Sequence, residues 1–147
     1  MIRVLIVGIG NPLRSDDGLG WRIAQELSLQ HSGGDVQVVA AQQLTPEMAE
    51  VASRAELLLF IDATCNGSPG SLRCEEVASI GSPSRQSHEL YPADILKLAR
   101  ELYGRCPPAW MLTIAGESFE TGEAFSPAVL AAIPALWAQV KQFIDRA

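Results

Sequence analysis

Residues 3 to 20 read RVLIVGIGNPLRSDDGLG, and the reading of this stretch decides the fold. Arg3 to Val7 is a short apolar run without polar alternation, the pattern of a strand buried on both faces of a parallel sheet. Gly8 to Asp16 follows as a loop. From about Asp17 to Gln30 apolar residues recur at helical spacing, with Trp21, Ala24 and Leu27 on one face and Gly33 and Gly34 closing the segment. A buried strand that passes through a glycine loop into an amphipathic helix is the opening of an α/β domain.

The rest of the chain repeats that alternation. Val36 to Ala40 and Leu57 to Ile61 read as second and third strands, separated by a short helix in which Thr45 is the N-cap, Pro46 the first helical residue and Ser53 the end. After the turn-rich residues Asn66 to Gly70, Leu72 to Val77 alternates weakly, with Arg73 and Glu75 on one face, as an exposed edge strand would. Pro92 starts a helix whose apolar stripe is Ile95, Leu98, Ala99 and Leu102, with Gly104 at its C-terminal cap. Trp110 to Ala115 is a fifth strand. Ser126 and Pro127 open a last helix to about Arg146, with Val129, Leu130, Ile133, Trp137 and Val140 inward and a kink expected at Pro134. Residues 1–147 thus read as one domain, with a largely parallel sheet covered by helices on both faces.

Composition narrows the function classes. Eleven Lys and Arg against seventeen Asp and Glu give a net charge of -6, so there is no broad cationic surface for a nucleic-acid backbone. The longest apolar run, Ala128 to Ala138, falls short of the roughly 18 residues of a membrane span and contains Pro134. Met1 to Gly10 is apolar, but Asn11, Pro12, Arg14, Asp16 and Asp17 follow without a signal-peptide cleavage site. Cys65, Cys74 and Cys106 are odd in number and lack C-x-x-C spacing, which argues against a disulfide framework or a Cys-rich zinc site. These features predict a cytoplasmic protein with neither a nucleic-acid nor a membrane partner.

Ligands of such sheets bind beyond the carboxyl ends of the strands, which directs attention to the loops after Val7, Ile61 and Ala115. Gly8-Ile9-Gly10 suggests a dinucleotide fingerprint, but its third glycine would fall at Leu13. Asp16 and Asp17 would repel a pyrophosphate. Alone, Asp16 and Asp17 read as a helix start, one of them a cap. Asp62 ends the third apolar run, so adjacent first and third strands would bring Asp17 and Asp62 together. Two facing carboxylates repel unless they share a proton or a cation. His88, in the polar loop from Gly81 to Glu89, would complete an oxygen, oxygen, nitrogen set with open metal positions. His31, at the end of the first helix, reads as a solvated or capping residue. Cys65 is a competing nucleophile with His88 as its base, or simply a small semi-buried thiol. Glu117, Glu120 and Glu123 form an acidic loop, at the cleft mouth or merely solvated, and Trp21, Trp110 and Trp137 read as core.

The run from Gly8 to Gly20, followed by Phe60-Ile61-Asp62-Ala63 and Ser87-His88-Glu89, resembles the [NiFe]-hydrogenase maturation endopeptidase family. Gly116-Glu117 and Ser126-Pro127-Ala128-Val129 resemble that family's last loop and helix, so the likeness spans nearly the whole chain. It implies a three-layer α/β/α domain whose mixed five-stranded sheet has the order 2-1-3-5-4, strand four antiparallel. It also implies that Asp17, Asp62 and His88 occupy metal-contacting positions, the first of them Asp or Glu among members. The family removes a C-terminal extension from the hydrogenase large-subunit precursor after nickel insertion, with the bound nickel as the feature recognised. Where better-known members carry Asp-Gly-Gly-Thr after the second strand, this chain has Gln42-Gln43-Leu44-Thr45-Pro46-Glu47, resembling the branch that serves cytosolic, cofactor-reducing hydrogenases.

The expectation is therefore an endopeptidase with catalytic candidates Asp16, Asp17 and Asp62 and metal candidates Asp17, Asp62 and His88. Nickel carried by the precursor would be the metal, with Asp16 or Asp17 as the base. The rival readings are a metal hydrolase with its own zinc, a Cys65 hydrolase, and a metal-dependent chaperone that binds the precursor without cutting it.

Overall fold

The computed structural model describes residues 1–31, 33–78 and 89–147. Five strands form one sheet: β1 (Ile2–Ile9), β2 (Val36–Ala41), β3 (Ala55–Thr64), β4 (Leu72–Glu76) and β5 (Ala109–Ala115). Their order is β2-β1-β3-β5-β4, with β4 antiparallel to β5 and the other pairs parallel, as the family resemblance implies. The helices are α1 (Leu19–Gln30), α2 (Met48–Ser53), α3 (Pro92–Tyr103) and α4 (Pro127–Arg146).

The all-apolar run of β1 is explained by burial on both faces. Val4 and Ile6 join Ile23 of α1 and Leu136 and Val140 of α4 in one core. Leu5 and Val7 join Phe60 and, from α3, Ile95 and Leu96 in the other. Each large side chain so buried contributes about 1.5–3 kcal/mol. α4 reaches the length and hydropathy of a membrane span on composition alone, with a mean of 1.2 over an 18-residue window. It nevertheless packs Val129, Leu136 and Val140 inward.

Several sequence expectations need correction. Leu130 and Leu102, placed on inward stripes, are 55% and 64% exposed. The inward line of α4 runs through Val129, Leu136 and Val140, and Leu102 lies in the last turn of α3 beyond the buried Ile95, Leu96 and Ala99. The three tryptophans are half-buried; Trp110 and Trp137 pack against the core, and the Trp110 ring lies tilted against Phe143 at 5.9 Å between ring centroids. Thr45 and Pro46 form a turn before α2, whose N-cap is Glu47. The helix predicted from Asp17 begins as a 3₁₀ turn, Ser15–Gly18, and becomes α-helical at Leu19. The caps at Gly104 (φ 73°) and Ser126 stand as expected, and His31 is the C-cap of α1.

The glycines of the opening motif serve close packing. A Cβ at Gly8 would overlap the Gly20 carbonyl, and one at Gly20 would overlap the carbonyls of Ile9 and Ile61. This contact draws the start of α1 onto the carboxyl ends of β1 and β3 and carries the preceding turn, with Asp17, to the sheet edge.

Candidate active site

The turn that presents Asp17 is braced on both sides. Asp17 Oδ2 accepts the Asn11 backbone N–H at 3.0 Å, and Asn11 Oδ1 accepts the Leu13 N–H at 2.9 Å. Ser15 sits at φ 53°, a left-handed conformation that costs a non-glycine residue roughly 1 kcal/mol. It is held there by its N–H donating to Gly122 O at 2.7 Å and its hydroxyl donating to Glu120 O at 2.8 Å.

Asp16 is fully buried. Its Oδ2 accepts the N–H groups of Glu117 and Ser118 at 2.8 and 3.1 Å, and its Oδ1 accepts that of Ser126 at 2.7 Å. Burial pushes its pKa up, but the N–H donors of Ser126, Glu117 and Ser118 together outweigh it and hold the carboxyl below its usual range. Both carboxylate oxygens are thus engaged by backbone donors, and Asp16 fixes the loop that carries them. The acidic loop 117–123 takes part through its backbone, while the side chains of Glu117, Glu120 and Glu123 are exposed to solvent.

Asp62 is in the opposite condition. It lies within β3, paired with Thr113 of β5, and among the described residues the Ala63 N–H donates to it, at 2.8 Å. Burial foremost, with the charges of Asp17 and Glu89 acting in the same direction, pushes its pKa up to about 7 against the lowering effect of that bond. β1 and β3 are adjacent, and the charge of Asp17 is among the influences that raise the pKa of Asp62. Such a pair gains from a shared proton or a cation.

His88 lies outside the described residues. Among the described residues no group of three His, Cys, Asp or Glu side chains is gathered closely enough to hold a metal. Asp17 and Asp62 are oxygen donors of the kind a divalent cation accepts.

A cavity of about 360 Å³ opens beside Asp62, between residues 42–44 and residues 89–92. Its floor includes Thr64, Thr113, Arg73 and Glu75. The sequence reading missed these as site residues. Arg73 and Glu75 were legible as one face of an edge strand, and Glu89 as the neighbour of His88, but the register that sets β4 beside β5 was not. Cys65 is exposed, and its neighbours Thr64 and Asn66 line the cavity while it does not. A larger cavity, about 540 Å³, lies at the amino ends of the strands among Arg3, Leu57, Trp110 and Phe143, away from these carboxylates.

The fold is an α/β domain with a cleft at the carboxyl ends of its strands. No family model matches the chain. It is 31% identical over 145 residues to the hydrogenase 2 maturation protease of Escherichia coli K12, covering 92% of this chain and 87% of that protein. Its structure superimposes on the hydrogenase maturating endopeptidase HybD from E. coli with a TM-score of 0.76 at 25% identity, covering 95% of this chain and 90% of that one. The hydrogenase 2 maturation peptidase of a Thaumarchaeota archaeon gives 0.73 at 26%, covering 97% and 98%. The chain belongs to the hydrogenase maturation protease family, and it is an endopeptidase.

Proposed function

We propose that this endopeptidase removes the C-terminal extension of a [NiFe]-hydrogenase large-subunit precursor once nickel has been inserted, and that it senses the nickel directly. The observation that carries the reading is the adjacency of β1 and β3, which sets the turn bearing Asp17 at the same sheet edge as Asp62, whose pKa is raised to about 7 by burial and by the charges of Asp17 and Glu89. A cation delivered by the substrate relieves that repulsion, so the site favours metal-loaded precursor over empty precursor. Asp17, Asp62 and His88 are the residues assigned to the nickel's open positions. The metal polarises the carbonyl or activates the water, and Asp17 is the base that remains once Asp16 is committed to its three N–H donors.

The segment Gln42 to Leu44, where the chain departs from the better-known members, lines the same cavity, so precursor choice is exercised there. The resemblance of this segment points to a cytosolic, cofactor-reducing hydrogenase as the partner. Three free cysteines accord with the cytoplasm.

The test is incubation with nickel-loaded and nickel-free precursor, followed by intact-mass spectrometry. Loss of a C-terminal peptide from the loaded form alone is the expected result. Cleavage of both forms would remove the sensing step, and cleavage of neither, with a verified cognate precursor, would remove the substrate.

A further inference from the structure

The row of residues that crosses the sheet at Asp62 contains a cation. Asp62 of β3 pairs with Thr113 of β5, and Thr113 pairs on its other side with Arg73 of β4. Residues in register across neighbouring strands share a face, so Asp62, Thr113 and Arg73 look into one cleft. All three line the cavity of about 360 Å³. Two strand spacings put Arg73 about 10 Å from Asp62 along this row. Of the described charged residues lining the cavity, Asp62, Glu75 and Glu89 are acidic and Arg73 is the cation.

Arg73 Nη2 pairs with Glu75 Oε1 at 2.6 Å, but the two side chains are 61% and 59% exposed. A solvated pair of this kind is worth only about 0–1 kcal/mol and opens readily for a better partner. The planar guanidinium has five N–H donors and grips a carboxylate with two of them at once. For an anionic group entering the cleft, Arg73 is the cationic partner among the described lining residues.

We propose that Arg73 is a specificity-determining residue that binds a carboxylate of the substrate chain about three residues from the bond that is cut, the length of extended peptide that spans about 10 Å. The proposal rests on the reading of the cleft as the site of precursor cleavage. The carboxylate comes either from an acidic side chain or from the free C-terminus of the extension, and Thr113 lies beneath the backbone between the two points.

The experiment compares wild-type protein, Arg73→Gln and Arg73→Glu on nickel-loaded precursor, with rates read by intact mass. The expected result is a KM raised about tenfold in Arg73→Gln and more in Arg73→Glu, with kcat nearly unchanged. Precursor whose acidic side chains within four residues of the cut are changed to amides, or whose C-terminus is amidated, identifies the source by reproducing the KM rise with wild-type protein. A lysine at that substrate position restores cleavage by Arg73→Glu. Wild-type rates in both Arg73 variants, or a cognate precursor with no carboxylate two to four residues from the cut, would overturn the proposal. Failure of wild-type protein to cut at all would instead count against the cleavage reading.

Discussion

The carboxylate of Asp16 accepts the backbone N–H of Ser126 at 2.7 Å, and the hydroxyl of Ser126 in turn accepts the N–H of Val129 in the first turn of α4. One buried acid therefore ties the turn that presents Asp17 to the start of a helix 110 residues later. The two adjacent aspartates have different partners: Asp16 accepts the N–H groups of Glu117, Ser118 and Ser126, and Asp17 that of Asn11.

Asp16→Ala should destabilise the fold by roughly 3 kcal/mol, because three backbone donors lose a charged acceptor in a buried setting. The same link works through pH. The folded-state pKa of Asp16 lies below its unfolded value of 3.8, so its contribution is present above that value and is lost as pH falls through the folded pKa. Denaturant titration of the variant at pH 7, with hydrogen exchange over residues 117–126, measures both the loss and its location. Wild-type stability and unchanged exchange would remove the linking role.

Asp62 gives the reverse pH dependence. Its folded pKa of about 7 exceeds the unfolded 3.8, so the native state is favoured with the proton on, and that advantage is lost as pH rises through 7. Asp62→Asn, which cannot ionise, should gain stability over wild type by about 1–2 kcal/mol at pH 8, with no such gain at pH 4, while processing is abolished at either pH. Thermal melts of the two proteins at both values check the sign. A difference that does not change with pH would contradict the perturbed titration.

Gly20→Ala should destabilise by about 2–3 kcal/mol or more, since the new methyl group meets the carbonyls of Ile9 and Ile61, which are backbone and cannot swing aside. Gly34→Ala, where nothing stands within 4 Å, is the control and should leave the melting temperature within a degree or two. Equal melting of both variants would refute the close approach.

Cys65→Ser should cleave precursor at the wild-type rate, because the exposed thiol stands outside the residues that line the cleft. Loss of cleavage with the fold intact would restore the cysteine as a nucleophile.

The sheet was legible because its strands are written as uninterrupted apolar runs, RVLIV and LLLFI, that nothing but a doubly covered sheet can bury. Asp62 was legible for the same reason, as the residue at which such a run stops. The strand itself continues to Thr64, since ladder hydrogen bonds are made by the backbone and leave no mark in side-chain polarity. The role of Asp16 was not legible, because its partners lie 101 to 110 residues away and offer backbone N–H groups, which every sequence possesses. The glycines at 8 and 10 drew attention as an incomplete phosphate motif, when Gly8, together with Gly20, encodes the distance between a helix and two strands. Arg73 was visible but could not be placed without the register of β4 on β5.

That register has a consequence for the order in which the protein becomes an enzyme. β5 is the last strand in the chain, yet it lies between β3 and β4 in the sheet. Until residues 109–115 insert, Asp62 and Arg73 have nothing to hold them in one row, whatever has already folded around β1. On the ribosome, where chains grow by about 5–20 residues per second, the row from Asp62 to Arg73 is therefore assembled only after residue 115 has been made. A chain cut short before β5 should fail to process precursor.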